Sequence, residues 1–92
     1  MGELTLRLLT PRGEKEGARC DSVTLIARDD ENGEGGGSVG IRRGHLPAVI
    51  ALEDGSAVKA SENGAAVASF TVSGAFAEVK DNVVTVISEE IT

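Results

Sequence analysis

Apolar residues recur at every second position in several short runs of this chain, and no window carries a convincing 3.6-residue period. Leu4, Leu6 and Leu8 alternate with Thr5, Arg7 and Leu9, the pattern of a strand with one buried face. Pro11-Arg12-Gly13 then predicts a reversal, because proline fixes φ and removes a ladder donor while glycine tolerates positive φ. Residues 14–19 are polar and weakly patterned, and alternation resumes at Val23 and Leu25, with Asp21, Ser22 and Thr24 as the wetter neighbours. Val49, Ile50 and Leu52 read as a short buried segment that Glu53-Asp54-Gly55 ends. Asn63-Gly64 predicts a type I′ hairpin between residues 57–62 and 65–70, in a register that sets Ala60 opposite Val67 and Val58 opposite Ser69. Three more strands are predicted, Phe70 to Val72, Ala75 to Lys80 and Val83 to Ile87, with bends at Ser73-Gly74 and Asp81-Asn82. Short strands with regular turn punctuation predict an all-β sandwich or barrel with almost no helix.

Composition narrows this picture. A chain of 92 residues has room for one core and one domain, residues 1–92. Phe70 and Phe76 are its only aromatic residues, so the core must be built from Val, Leu, Ile and Ala. From residue 27 to 38 the sequence is acidic and glycine-rich, and its glycines are costly to order, which predicts a mobile loop. The net charge of −6 repels phosphate backbones and anionic lipid, so nucleic acid is not an expected partner. The longest apolar run, Ala48 to Leu52, is far short of the roughly 20 residues a helical membrane span needs, so no direct membrane insertion is expected. Cys20 stands alone, no secretory leader is visible, and a reducing cytoplasm is the expected compartment.

The chemistry-bearing residues do not assemble into a catalytic pattern. Gly35-Gly36-Gly37-Ser38-Val39-Gly40 has the spacing of a dinucleotide loop, but it lacks the strand before and the helix after that would bring a pyrophosphate to a helix N-terminus. Asp29, Asp30, Glu31, Asn32 and Glu34 are oxygen donors in one window, at the wrong spacing for a calcium loop, and read as a solvated acidic loop or a protein contact. His45 is the only histidine, so neither a zinc set nor a nucleophile-histidine pair can be drawn. Ser73-Gly74 lies at a strand-to-strand bend and lacks the framing of a nucleophile elbow. Arg42-Arg43 is a basic island in an acidic chain, either a solvated turn or a docking contact. No catalytic residue, metal or cofactor is assigned.

Three phrases in order carry a family resemblance: Gly40-Ile41-Arg42-Arg43-Gly44-His45-Leu46-Pro47, then Val72-Ser73-Gly74-Ala75-Phe76-Ala77-Glu78-Val79, then Asn82-Val83-Val84-Thr85-Val86. With Leu4 to Pro11 at one end and Val84 to Ile87 at the other, the chain resembles the N-terminal domain of the epsilon subunits of rotary F-type ATP synthases. The resemblance implies a ten-stranded sandwich of two sheets at the foot of the central stalk, held by the gamma subunit on one side and touching the membrane rotor ring below. It implies a non-catalytic rotor subunit that couples proton or sodium flow to ATP synthesis or hydrolysis, on the cytoplasmic face of the cell membrane and held there through the complex. A stand-alone protein-binding module derived from the same fold is the alternative.

The same resemblance points to partner contacts at Gly40, Ile41, Arg42, Arg43, Gly44, His45 and Pro47, where two glycines permit a tight backbone, and at Ser73 and Glu78 in the second phrase. The acidic residues Asp29, Asp30, Glu31 and Glu34 are expected to lie beside the rotor ring. Three departures stand out. The sequence stops where the family usually continues into an inhibitory helical hairpin, so no inhibitory latch is expected. The Asp29 to Gly37 tract is longer than the family's connection. Arg43 stands where the family often has proline, which implies a looser turn.

Overall fold

The computed structural model describes residues 4–28 and 37–92, apart from the side chain of Glu16. Among them are eight strands and no helix: β1 (Leu4–Thr10), β2 (Gly13–Cys20), β3 (Ser22–Ala27), β4 (Gly37–Arg42), β5 (Ala48–Ala51), β6 (Ser56–Glu62), β7 (Ala65–Lys80) and β8 (Val83–Ile91). The all-β sandwich is as the alternation predicts. The described residues hold eight strands where the resemblance implies ten for the domain, and β7 runs unbroken through the bend at Ser73-Gly74.

That long strand joins the two layers. Its first half, up to Val72, pairs with β6, which continues to β3 and β4. Its second half pairs with β8 on one side and β5 on the other, and β8 continues to β1 and β2. The changeover falls at Gly74, whose φ of +61° is open to glycine and costly for most other residues. Backbone groups freed at the bend find partners in the segment after β5: Gly55 N donates to Val72 O at 2.8 Å and Leu52 N to Ala75 O at 3.0 Å. The Gly74 amide itself donates to Asp54 Oδ1 at 2.8 Å. Ser88, the one buried polar residue among those described, accepts from Ser73 N and directs its hydroxyl proton to Ser73 O or Glu90 O.

Between the layers lies a cluster of aliphatic side chains. Leu4, Leu6 and Leu8 of β1 meet Val23 and Leu25 of β3, Ile41 of β4, Val58 of β6, Val72 and Val79 of β7, and Val84 and Val86 of β8. All are at most 1% exposed, and each large side chain contributes roughly 1.5–3 kcal/mol by leaving water. Cys20 is also buried, its Sγ 3.7 Å from Leu4 O, and burial, followed by the charges of Asp21 and Glu62, pushes its thiol pKa up. Cys20 is therefore expected to resist a water-soluble thiol reagent in the folded chain and to react once urea unfolds it. Rapid labelling under native conditions would contradict its burial.

Three sequence expectations change in detail. Residues 14–19 belong to β2, a strand that alternation misses because it is a polar edge strand held by its ladder to β1. The span 27–38 is not all loop: Ala27 is the buried last residue of β3, and Gly37 and Ser38 open β4 opposite Ala27 and Ile26. Backbone pairing there needs no apolar anchor. Asp29, Asp30, Glu31 and Glu34 lie outside the described residues. Val49 is not buried but 69% exposed, because β5 pairs with β7 so that Val49 and Ala51 face outward.

The β6–β7 hairpin turns at Asn63 and Gly64, both at positive φ (+53° and +80°), as a type I′ turn requires. Its register is displaced by one residue beyond the turn. A bulge next to Ser61 sets Ala60 opposite Ala68 and Val58 opposite Phe70, in place of Val67 and Ser69. The β7–β8 turn repeats the left-handed pair at Asp81 (φ +52°) and Asn82 (φ +62°). β8 then runs on to Ile91, past the Ile87 boundary read from the alternation.

Candidate partner-binding surface

The Gly-His segment follows β4 and is a closed turn. His45 N donates to Arg42 O at 3.1 Å, and Gly44 at the third position has the positive φ (+83°) of a type II turn. Arg43 at the second position meets the demands of that turn, so the looser turn expected from the absent proline is not found. The Gly44 amide donates to Asn82 Oδ1 at 2.8 Å, which ties the segment to the β7–β8 turn. His45 Nδ1 lies 2.7 Å from Leu46 O, so the proton sits on Nδ1 and donates to that carbonyl.

The predicted contact residues divide sharply by exposure. Arg42, Arg43, Gly44, His45 and Pro47 are exposed, and Leu46 between the last two is 79% exposed. Ile41 is fully buried and anchors the turn in the core, so it offers a partner nothing. Gly40 lies on the surface of β4 opposite Thr24 with an ordinary φ, and a side chain there would meet nothing, so only Gly44 is required by the backbone. Ser73 is half-buried at the bend, its backbone engaged by Ser88. Glu78 is exposed on the outer face of β7.

Glu78 stands on a face that sequence reading did not assemble. Buried positions of β1, β8 and β7 point inward, so Leu9, Ile87 and Phe76 point outward, and pairing places them in one row that Ala51 of β5 completes. The adjacent row is Arg7, Thr85, Glu78 and Val49. Phe76 is 42% exposed and Val49 69%. A groove of about 390 Å³ runs beside Leu9, Pro11, Phe76 and Ile87, and a shallow depression of about 420 Å³ along Pro47, Val49, Glu78 and Lys80 links the face to the Gly-His segment. The available signal for these residues was parity: each apolar side chain here falls on the polar phase of its strand's alternation. At the edge of the face Arg7 holds Glu14 by two hydrogen bonds, 3.1 and 3.3 Å, and that contact lowers the Glu14 pKa.

A depression of about 440 Å³ between Arg12, Lys15, Glu89 and Glu90 brings opposed charges together. Among the described residues no group of three His, Cys, Asp or Glu side chains is placed to hold a metal ion. No helix among them is long and apolar enough to cross a membrane.

Residues 3–92 match the family model described as ATP synthase, Delta/Epsilon chain, beta-sandwich domain. The chain belongs to this family. This delta/epsilon β-sandwich is similar in fold to a chain in the central stalk/c-ring of the Tetrahymena thermophila mitochondrial ATP synthase, with a TM-score of 0.70 at 16% identity over 98% of its length. It is also similar to a chain of the Euglena gracilis mitochondrial ATP synthase in a structure containing OSCP, F1 and the c-ring, with a TM-score of 0.73 at 22% identity over its whole length. It spans 66% and 54% of those two chains, under two thirds of either. No curated protein matches it significantly.

Proposed function

We propose that this delta/epsilon β-sandwich is a non-catalytic rotor subunit of a rotary ATP synthase, joining a gamma-type shaft subunit to the membrane ring and so coupling ion flow to ATP synthesis or hydrolysis. The observation that carries the reading is the outward apolar row of Leu9, Ile87, Phe76 and Ala51, continuous with Val49 and leading toward the exposed His45-Leu46-Pro47 segment. An aliphatic and aromatic row rimmed by Arg7, Glu14 and Glu78 has the make-up of an interface, with an apolar centre and a charged margin. The shaft subunit takes the apolar face, and the Gly-His end, with Arg42, Arg43 and His45, meets the ring or the foot of the shaft. A stable contact of this kind buries about 1,200–2,000 Å² in total, which needs both areas together.

Torque transmission asks for stiffness, and the fold supplies it: an aliphatic core, type I′ turns at two hairpins, and a strand shared between the layers. The subunit works at the cytoplasmic face of the membrane, held peripherally by its partners. Reconstituting the synthase with and without the chain tests this. With the chain absent, ATP hydrolysis should persist while ATP-driven ion pumping is lost; pumping that is unchanged without it rules out a coupling role.

A further inference from the structure

We infer that Asn82 is a positioning residue for partner binding: its side chain holds the Gly-His segment in a set relation to the apolar face. Two separate stretches meet at this one residue. Its side-chain oxygen accepts the Gly44 amide at 2.8 Å, and its backbone oxygen accepts the Thr5 amide at 3.0 Å at the start of β1. Gly44 and Asn82 are 38 residues apart in sequence, so this bond references the segment between β4 and β5 to the β1, β8 and β7 layer that carries Leu9, Ile87 and Phe76.

The left-handed φ of +62° at Asn82 is part of the arrangement. Asparagine and aspartate tolerate this conformation better than other residues with a side chain, and both carry an oxygen at the reach the Gly44 amide needs. The next exposed groups along the chain are His45, Leu46 and Pro47, and the bond to Asn82 ties the exposed turn to the β7–β8 turn. Without it, the turn keeps its internal bond from His45 N to Arg42 O, and β5 keeps its ladder to β7, but the exposed turn between them loses this tie to the β7–β8 turn. A partner that must engage both areas then meets a distribution of orientations.

The inference rests on the rotor reading for its partner and on geometry for the tether, and the two are separable. Asn82→Gly accepts the same φ and removes the acceptor; Asn82→Asp restores an acceptor oxygen. In Asn82→Gly, hydrogen exchange of the Gly44 amide should accelerate while the Val84 and Val86 amides keep their protection. Capture of the full chain by the purified gamma subunit of its own synthase should weaken roughly three- to tenfold, the value of about one hydrogen bond, and Asn82→Asp should recover most of both. Unaltered Gly44 exchange in Asn82→Gly, or unaltered capture by a gamma subunit that binds the wild type, overturns the role of Asn82 alone. Failure of the wild-type chain to be captured overturns the rotor reading and, with it, the binding role.

Discussion

Replacing Gly17 with alanine is expected to destabilise the fold by about 3 kcal/mol or more, a large share of the roughly 5–14 kcal/mol available to a domain of this size. Gly17 sits in β2 where the ladder to β1 slips: Leu6 faces Ala18, but Leu8 faces Lys15, leaving an extra residue of β2 opposite Arg7. A Cβ on Gly17 would overlap the carbonyl group of Leu6 and crowd the Arg7 Cα. Both are backbone, and no rotamer change relieves them.

Nor can β1 withdraw. It is bonded on its other edge to β8, and Leu4, Leu6 and Leu8 are locked in the core. The remaining escape is for β2 to peel away, which removes its ladder and uncovers Cys20 and the core behind it. Thermal unfolding followed by circular dichroism should show a midpoint lowered by on the order of 12 °C or more. Gly40→Ala is the control: its φ is ordinary and a Cβ there meets nothing, so its stability should stay within about 0.5 kcal/mol of the wild type. A Gly17→Ala chain as stable as Gly40→Ala would mean that the bulge is not built as described.

The largest functional effect is expected from Phe76→Lys, which should weaken capture by the gamma subunit about 30-fold or more. Phe76 is at the middle of the apolar row, between Ile87 and Ala51, and central aromatic residues carry a disproportionate share of interface energy, typically about 2 kcal/mol or more each. A lysine there adds the cost of desolvating a charge against an apolar partner. The folded chain itself should tolerate the change. Phe76 is already 42% exposed, and Glu78 two positions along the same face offers the new ammonium a partner.

Val67→Lys makes the discriminating comparison. Val67 is also on β7 and 50% exposed, but in the half that pairs with β6, on the other layer. It should bind like the wild type. If Val67→Lys lost capture and Phe76→Lys kept it, the shaft would sit on the opposite layer and the assignment of the face would be wrong. Equal thermal midpoints for the two variants would show that the difference is one of contact and not of folding.

How far each feature could be read from the chain depends on how local its cause is. The Asn63-Gly64 hairpin was legible because a type I′ turn places its demand on two adjacent residues, and the register beyond it was not, because the bulge at Ser61 depends on how β6 also fits β3. Leu4, Leu6 and Leu8 announced a buried face, whereas β2 carries no such pattern and owes its strand conformation to the β1 ladder. Of the contact residues named from the Gly-His phrase, Arg42, Arg43, Gly44, His45 and Pro47 are at the surface and Ile41 is not; phrase matching does not distinguish a residue that holds a turn from one that the turn displays.

Read alone, the residues determined an all-β chain with an aliphatic core, its main reversals and its family, because alternation, turn chemistry and ordered phrases are properties of neighbours along the chain. Tertiary structure alone decided that Leu9, Ile87, Phe76 and Ala51 share a row, that Val49 faces outward and that Asn82 holds Gly44. Those relations are set by which strands pair, and strand pairing brings together residues whose separation in sequence says nothing of their distance in space.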